Sequence, residues 1–453
     1  MISSFSPQQP KDLVVEVHAT TPEQVRSTFA LARTAQQEWA GSPAAARASS
    51  LNSAADAVDG AAEELADLVV REVGKPLTEA RAEVARSVAI LRYYAQQVFD
   101  PTGAVHAPSV QGMLFTSRRP LGVAGLITPW NFPLAIPLWK AAPALAFGNT
   151  VVLKPAPEST ACALRLAELI APVLSADAFS VVPGDVETGQ AVVAGADVVS
   201  FTGSTGGGRA VAKSAVERVI PVQAEMGGQN PAVVLPDADL DAAAQQIAAA
   251  AMGFAGQKCT ATKRVVVVGD GAAFRDALVA AVEAMQVADP ADLQTTVGPV
   301  ISKHARDRVT SVARDAEQVG GRVLTGGTDV DADGWFVEPT VVEGVPERHT
   351  LACDEVFGPI CLLQSATDLD DGIRIANSVP HGLAAALYTK DLSTALRAAQ
   401  RLEAGLVKVN APTSGVDFYL PFGGEKGSSL GPREQGKAAQ NFYTSTHTIT
   451  IAP

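Results

Sequence analysis

The chain has 453 residues, of which 47% are hydrophobic and 18% are charged, and its mean hydropathy is +0.15. This length exceeds what one hydrophobic core usually supports, so we expect at least two lobes and little disorder. The formal net charge is −13, with no run of Lys and Arg. The basic surface that nucleic-acid binding requires is therefore not expected.

Two segments of the sequence, the N-terminus and one apolar stretch, indicate whether the protein is secreted or inserted in a membrane. Residues 1–10 are polar and lack a basic region followed by an apolar one, so we predict no secretory signal and a cytoplasmic protein. Residues 120–139 are uncharged and largely apolar, but a spanning helix would lose backbone donors at the prolines in this segment. We predict buried strand and loop there, and no membrane partner.

The first hundred residues carry helix signals. Thr21 precedes a proline and a glutamine at the positions that favour a helix start, so a helix is predicted to run to about Trp39. Alanine-rich, helix-periodic stretches follow at about 43–73 and 76–99. The N-terminal region is thus predicted to be helical.

From Gly122 onward, short apolar runs alternate with helical ones, which implies parallel βαβ units in an α/β, doubly wound fold. Strands are predicted first over 122–128, 150–153, 179–182 and 198–201, with a helix over about 159–174. Later strands are predicted over 232–235, 264–268, 322–325, 360–364, 384–389 and 405–410, with helices over about 240–253, 272–287 and 368–377.

Four cysteines occur, at Cys162, Cys259, Cys353 and Cys361, without paired CxxC spacing or a nearby His cluster. No metal site or disulfide is predicted, and isolated thiols usually pack as small apolar groups. Cys259 differs because Glu225 lies thirty-four residues earlier in a Gly-rich turn. A thiol and a carboxylate so placed suggest a covalent nucleophile and a base that activates water.

Three further features have two interpretations each. The Gly-rich turn 201–209 opens a helix and is either a phosphate cradle or a plain tight turn. Asn131 lies among prolines and aromatic residues, either as an oxyanion donor or as a turn cap. Lys154 ends an apolar strand, where it meets a ribose or phosphate or is simply solvated.

Seven motifs follow one another along the chain, and in this order they resemble the aldehyde dehydrogenase family over nearly the whole sequence. They are Pro-Trp-Asn-Phe-Pro at 129–133, Lys-Pro at 154–155, Phe-Thr-Gly-Ser at 201–204, Glu-Met-Gly-Gly at 225–228, Gly-Gln-Lys-Cys at 256–259, Glu-Val-Phe-Gly-Pro at 355–359 and Pro-Phe-Gly-Gly at 421–424.

The resemblance implies NAD(P)-dependent oxidation of an aldehyde to a carboxylic acid through a thiohemiacetal and a thioester. Cys259 is then the nucleophile, Asn131 and the Cys259 N–H hold the oxyanion, and Glu225 is the base. The presence of Glu225 argues against a CoA-acylating enzyme. A non-catalytic structural homologue would tolerate loss of either Cys259 or Glu225, and both are present.

The same resemblance assigns cofactor residues. Lys154 is expected at the adenosine ribose, and Glu355 at the nicotinamide ribose. NAD-preferring relatives commonly have a Glu three residues after the Lys, where this chain has Pro157, so we expect NADP to be preferred and NAD to be possible. The complete expected set is Thr128, Pro129, Trp130, Lys154, Pro157, Glu158, Thr202, Gly203, Ser204, Gly208, Met226, Gly227, Glu355 and Phe357.

The tail over 409–434 resembles the members of the family that act on 2-oxoglutarate semialdehyde (2,5-dioxopentanoate). Succinate semialdehyde enzymes, the alternative, typically have an Arg where this chain has Trp139. Lys258 and Thr413 are the candidates to bind the substrate carboxylate, and the alternative for Lys258 is that it points away from the substrate tunnel. The complete expected substrate set is Phe132, Trp139, Lys258, Thr260, Pro412, Thr413, Gly415 and Phe422.

The expected domain organisation also follows from the resemblance. Residues 1–224 form a Rossmann-like cofactor domain with a β excursion near 102–118, and 225–410 form an α/β catalytic domain. Residues 411–453 return to the cofactor domain and end in a strand over 444–451. That strand is expected to pair with another subunit, in a homodimer or a dimer of dimers.

Overall fold

The computed structural model describes residues 1–330 and 332–453 and has two large sheets with helices packed against them. Up to Glu225 the strands are β1 (Ile2–Phe5), β2 (Leu13–Val17), β3 (Val105–His106), β4 (Met113–Pro120), β5 (Val123–Ile127), β6 (Thr150–Lys154), β7 (Phe179–Val181), β8 (Val198–Thr202) and β9 (Val222–Glu225). The helices are α1 (Pro22–Gly41), α2 (Ala44–Gly60), α3 (Ala62–Val73), α4 (Leu77–Gln97), α5 (Ala135–Ala146), α6 (Thr160–Ile170), α7 (Val186–Gly195) and α8 (Thr205–Glu217).

The rest of the chain repeats the alternation of strand and helix. Its strands are β10 (Asn230–Val234), β11 (Thr262–Val268), β12 (Arg322–Thr325), β13 (Thr340–Glu343), β14 (Ile360–Ala366), β15 (His381–Gly382), β16 (Ala384–Tyr388), β17 (Leu406–Val409), β18 (Glu425–Lys426), β19 (Ser429–Leu430) and β20 (Thr444–Ile451). Its helices are α9 (Leu240–Met252), α10 (Ala272–Glu283), α11 (Lys303–Gln318), α12 (Thr350–Cys353), α13 (Leu369–Asn377), α14 (Leu392–Ala399) and α15 (Ala438–Tyr443).

The first sheet has the order β19-β9-β8-β5-β6-β7, and all of its strands except β19 run parallel. The chain moves outward from β5 through β6 to β7, then returns to the other side of β5 to form β8 and β9. This reversal leaves a crevice outside the carboxyl ends of β5 and β8, where ligands bind in doubly wound sheets. The predicted α/β, doubly wound architecture is confirmed.

The second sheet has the order β12-β13-β14-β11-β10-β16-β17, with only β12 antiparallel to its neighbour. It uses strands between Asn230 and Val409, whereas the first sheet takes its strands from Val123–Glu225 and from β19. We therefore propose domain boundaries near Glu225 and Asn410.

Several local predictions were wrong. The stretch 43–73 is two helices separated at Ala61, and a β1–β2 hairpin precedes the helical region. The apolar segment before Lys140 is not only strand and loop, because α5 begins at Ala135. Pro137 lies in the first turn of α5, where the backbone N–H groups have no partner within the helix, so a proline there removes no hydrogen bond.

The terminal strand β20 pairs antiparallel with β4 of the same chain and forms one edge of a sheet of order β20-β4-β3. No helix in the two described ranges is long and apolar enough to cross a membrane.

Candidate active site

Cys259 lies in the loop between α9 and β11, and the backbone before it is strained. Phe254 and Ala255 have φ values of 52° and 51°, which L-residues rarely adopt. Gly256 follows with φ of 63°, and a Cβ there would lie 2.2 Å from the carbonyl oxygen of Gly358. Strain of this kind persists only where the surrounding structure enforces it, and it is frequent beside functional groups.

The Cys259 side chain is partly exposed because it forms part of the wall of two cavities. One cavity, of about 460 Å³, also contacts Trp130 and Glu355, and we call it the Glu355 cavity. The other, of about 360 Å³, also contacts Arg86 and Trp139, and we call it the Arg86 cavity. Cys259 is the only residue common to the two walls in the described part of the chain.

The Cys259 thiol is protonated in this environment. Its pKa is raised to about 12, first by burial and then by the nearby carboxyl groups of Glu355, Glu225 and Glu434, whereas the Thr260 backbone N–H opposes this rise. Since the thiolate is the nucleophilic form, the reaction requires a partner that removes the proton or a positive charge that stabilises the thiolate.

Asn131 is held against the same loop. Its Nδ2 donates to the carbonyl oxygen of Gln257 at 2.9 Å, two residues before Cys259, and the side chain is 4% exposed. An amide nitrogen has two N–H donors, and this bond uses one of them. Asn131 is part of the wall of the Glu355 cavity, so its second N–H is available beside the thiol.

Glu225 is the last residue of β9 and is buried. Ser429 Oγ donates to Glu225 Oε2 at 2.5 Å, whereas Oε1 has no partner within the protein. Burial raises the pKa of Glu225 well above its usual value, and the nearby Glu434 raises it too. A carboxyl with a raised pKa and one free oxygen is suited to accept a proton.

Behind Glu225 lies a buried polar network. Lys140 Nζ donates to Ser200 Oγ at 2.7 Å and also bonds Glu434 Oε1. Ser200 Oγ donates to Gln223 Oε1 at 3.0 Å. The positive charge of Lys140 lowers the pKa of Glu225 and so offsets part of the effect of burial.

The Glu355 cavity is built from the loops that follow β5, β8 and β9, at the crevice of the first sheet. The N-terminus of α8 faces this region, with Ser204 as its cap. Trp130 packs edge-on against Phe357 at 5.7 Å between ring centroids. The predicted cofactor residues in its wall are Pro129, Trp130, Thr202, Gly203, Ser204, Met226, Gly227, Glu355 and Phe357.

Polar groups in and behind this wall have no partner within the described protein. Three of these atoms are buried without a hydrogen-bond partner: Thr128 Oγ1, Thr202 Oγ1 and Glu355 Oε1. Burial raises the pKa of Glu355 to about 7, while nearby Lys263 opposes this effect. Unpaired buried polar atoms are rare in native proteins and indicate a missing partner such as a ligand.

Five predicted cofactor residues lie outside the wall of the Glu355 cavity. Thr128 and Lys154 are buried at the carboxyl ends of β5 and β6, and burial lowers the pKa of Lys154. Pro157 and Glu158 lie in a short 3₁₀ turn, where Glu158 is exposed. Gly208 packs against Met226, since a Cβ there would lie 2.6 Å from the Met226 sulfur.

The Arg86 cavity contains predicted and unpredicted residues. Phe132, Trp139 and Phe422 form apolar walls as expected, and Lys258, Thr260 and Gly415 also lie there. One face of α4 also lies in this wall and was not among the predicted residues. Glu79, Ala82, Glu83 and Arg86 lie three or four residues apart, a helical spacing that places them together. That spacing is the signal that would have found them.

Most charges in the Arg86 cavity are paired with one another. Lys258 Nζ bonds Glu79 Oε2 at 2.6 Å. Glu83 bonds the buried Lys75, and its Oε1 accepts two backbone N–H groups, from Leu134 and Ala135. The predicted substrate cation, Lys258, therefore already has an anionic partner.

Thr413 and Pro412 differ from the prediction. Neither belongs to the wall of the Arg86 cavity. Thr413 is fully buried, and its hydroxyl donates to the carbonyl oxygen of Thr260 at 2.7 Å and contacts Thr262 Oγ1 at 2.9 Å. Its hydroxyl thus holds the nucleophile loop to the tail and is not free to bind substrate.

The model of the aldehyde dehydrogenase family matches residues 1–449. This chain belongs to the aldehyde dehydrogenase family. The identification confirms the resemblance carried by the seven motifs. The protein is an NAD(P)-dependent aldehyde oxidoreductase.

Individual family members are similar over nearly their whole length. An alpha-ketoglutaric semialdehyde dehydrogenase of Bacillus subtilis is 38% identical, and the match covers 100% of this chain and 95% of the relative. A succinate-semialdehyde dehydrogenase of Paenarthrobacter nicotinovorans is 36% identical over 97% of this chain and 99% of the relative. The structure of Staphylococcus aureus betaine aldehyde dehydrogenase with NAD⁺ superposes with a TM-score of 0.96 at 30% identity, covering 99% of this chain and 91% of the other.

Proposed function

We propose that the protein oxidises 2-oxoglutarate semialdehyde to 2-oxoglutarate, with Cys259 as the nucleophile. The observation that carries the proposal is the position of Cys259 in the walls of both cavities. A thiol shared by two cavities can bond an aldehyde that enters from one side while a hydride leaves towards the other.

The Glu355 cavity has the residues to hold NAD(P). The N-terminus of α8 with Gly203 and Ser204 would take the pyrophosphate. The unbonded carboxylate oxygen of Glu355 would accept a ribose hydroxyl, and Lys154 would lie at the adenosine end. When bound, this cofactor supplies the oxidant by accepting a hydride.

Covalent catalysis begins with loss of the Cys259 proton. The sulfur then bonds the aldehyde carbon, and the carbonyl oxygen becomes an oxyanion that the free N–H of Asn131 and the N–H of Cys259 stabilise. One oxyanion donor typically contributes about 3 kcal/mol to lowering the barrier. Loss of hydride from this thiohemiacetal leaves a thioester on Cys259.

Glu225 completes the cycle as the base. Its carboxylate removes a proton from water, the hydroxide oxygen bonds the thioester carbon, and the C–S bond breaks to release the acid. The free Oε1 supports this role, while the bond from Ser429 fixes the other oxygen. The raised pKa makes the carboxylate a stronger base than an exposed glutamate.

The substrate proposal is supported by two observations. The Bacillus relative is named for alpha-ketoglutaric semialdehyde. The Arg86 cavity joins apolar walls to a half-buried cationic group, as expected for a short chain that ends in a carboxylate. Its volume of about 360 Å³ is at the small end for ligand sites, which favours a short aldehyde.

The test is a substrate panel without CoA, in which free acid and reduced cofactor are both measured. We expect 2-oxoglutarate semialdehyde to give the highest kcat/KM, above succinate semialdehyde, pentanal and betaine aldehyde. A higher kcat/KM for pentanal than for every charged aldehyde would overturn the substrate proposal. Absence of acid release without CoA would overturn the hydrolytic mechanism.

We also propose NADP as the preferred cofactor, a homodimer or dimer of dimers, and a cytoplasmic location. Pro157 replaces the acidic residue that would repel a 2′-phosphate, although exposed Glu158 lies close enough to affect the pKa of Lys154. The outer edge of β20 pairs with no other strand in residues 1–330 and 332–453, which supports association. Sedimentation analysis and kinetics with both cofactors test the first two proposals.

A further inference from the structure

Two of the polar side chains in the Arg86 cavity that the proposed mechanism does not use are Arg86 and Gln435, and both have unused hydrogen-bonding groups. These two residues suggest how the protein recognises the end of the substrate that does not carry the aldehyde. This inference rests on the proposed function, because it concerns how the same cavity distinguishes among aldehydes.

Arg86 is a cation without an ion pair. It contributes to the α4 wall of the cavity, and no carboxylate among the described residues lies within ion-pair distance of it. Glu83 and Asp417 are the acidic groups that act on Arg86 at longer range, and Asp417 is exposed to solvent. Glu83 is already paired with Lys75, so Arg86 has no ion-pair partner of its own among the described residues.

The hydrogen bonds of Arg86 are also incomplete. Its Nη2 donates to the carbonyl oxygen of Val416, which also belongs to the cavity wall. The Nε is buried and has no partner. Since a guanidinium carries five N–H donors arranged for a planar anion, most of its capacity remains for a carboxylate.

Gln435 is the second unused group. It is 1% exposed, yet both Oε1 and Nε2 lack a hydrogen-bond partner within the described protein. Its φ of 61° is unusual for a residue other than glycine. A buried amide with both atoms unbonded costs stability, so its retention in a cavity wall indicates a polar ligand atom.

We propose that Arg86 and Gln435 form a two-point site for a 2-oxo carboxylate. Arg86 binds the substrate carboxylate, and the Nε2 of Gln435 donates to the neighbouring 2-oxo oxygen. Lys258, bonded to Glu79, takes no part in binding the carboxylate. The site thus distinguishes 2-oxo acids from plain acids and from neutral aldehydes.

Three aldehydes of equal chain length test the two points separately. 2-Oxoglutarate semialdehyde has both groups, glutarate semialdehyde has only the carboxylate, and pentanal has neither. We expect R86M to lower kcat/KM for the two acids by about 30-fold or more, because loss of one partner of a buried charge pair is costly. For pentanal we expect a change of less than about threefold.

The variant Q435M removes the side-chain amide, and it is expected to affect only one of the three aldehydes. It should lower kcat/KM for 2-oxoglutarate semialdehyde by about 3- to 10-fold, the range for one neutral hydrogen bond. Glutarate semialdehyde and pentanal should be unaffected. R86K keeps the charge without the planar fork, so it should recover part of the activity on both acids.

Two control variants distinguish direct binding of the substrate carboxylate by Arg86 from indirect effects of the substitutions on the structure. R92M removes an exposed arginine on the same helix that bonds Asp56 and Asp59, and it should leave all three substrates unchanged. The double variant E79Q/K258M removes one negative and one positive charge from the cavity, and it should preserve the preference for acids. Loss of that preference in the double variant would assign the carboxylate to Lys258 and overturn the role of Arg86.

The remaining outcomes are equally decisive. Equal loss of activity on all three aldehydes in R86M would show that Arg86 only holds the Val416 loop. An unchanged preference for acids in R86M would also overturn the site. A wild-type enzyme that prefers pentanal would refute the proposed function itself, which the variants do not address.

Discussion

The two cavities that meet at Cys259 are built in different ways. The wall of the Glu355 cavity combines short motifs at strand ends of the first sheet with the loop around Glu355, and several of its polar atoms, such as Thr202 Oγ1 and Glu355 Oε1, have no partner among the described residues. The Arg86 cavity takes its wall from one face of α4, the aromatic residues and the tail loop, and most of its charges are paired internally. The comparison teaches that the reaction and the substrate preference depend on separate parts of the chain.

The largest expected effect is at the residue that both cavities share. Cys259→Ala should lower kcat by at least about 10⁴-fold with every aldehyde, because no other group can form the covalent adduct. Cofactor affinity, measured by fluorescence titration, should change little, since the Glu355 cavity remains intact.

Cys353→Ala is the matched control, because this partly exposed thiol donates to the carbonyl oxygen of Glu347 outside both cavities. We expect full activity. A Cys259→Ala enzyme that kept most of its dehydrogenase rate would remove the basis for treating the two cavities as one site.

The second-largest expected effect distinguishes formation of the Cys259 thioester from its hydrolysis. Glu225→Gln preserves the shape of the side chain but cannot accept a proton, so the thioester should accumulate. Stopped-flow measurements should show a burst of about one reduced cofactor per site, followed by turnover slowed by about 10²- to 10⁴-fold. Unchanged steady-state turnover would contradict the assignment of the base.

The pH dependence of the wild type has a definite sign. Burial raises the pKa of Glu225, so its carboxyl keeps a proton to higher pH than an exposed glutamate and is inactive as a base below that pKa. The deacylation rate should therefore rise with pH and level off above the pKa. In Glu225→Gln this rise should disappear.

A smaller effect concerns the Glu355 cavity alone. A Cβ at Gly227 would lie 1.9 Å from Glu355 Oε2, so Gly227→Ala should displace this carboxylate. Loss of a hydrogen bond to a charged group should raise the KM for the cofactor by about 10- to 100-fold, with little change in the relative use of aldehydes.

Gly41→Ala is the control for this substitution, since a Cβ at Gly41 has no atom within 4 Å and Gly41 belongs to neither cavity wall. Its KM for the cofactor should equal that of the wild type. If Gly227→Ala changed aldehyde preference as strongly as cofactor KM, the two cavities would not be independent.

The smallest effect concerns cofactor choice. Glu158 is exposed and lies within electrostatic range of Lys154. Glu158→Gln should raise the ratio of kcat/KM for NADP to that for NAD by up to about fivefold, as expected for an exposed charge. The neutral variant of exposed Glu187, Glu187→Gln, should leave the ratio unchanged, and an unchanged ratio in Glu158→Gln would remove Glu158 from cofactor selection.

Much of the fold and of the Glu355 cavity could be predicted from the sequence because the signals are local. A strand followed by a Gly-rich turn and a helix start specifies the position of Ser204 within a few residues. The helices over 43–73 were less predictable, because the only local signal for the break at Ala61 is the single glycine before it, Gly60, which a continuous helix also tolerates.

The sequence by itself determined the chemistry of this protein: the order of Asn131, Glu225, Cys259 and Glu355 within seven motifs indicated an aldehyde dehydrogenase. Only the tertiary structure decided which charges remain unpaired in the Arg86 cavity. Lys258 adjoins the nucleophile in sequence but bonds Glu79, whereas Arg86 is distant in sequence and has no ion-pair partner in the described part of the chain. Pairing of charges depends on distances between segments far apart in the chain, and a sequence motif does not contain those distances.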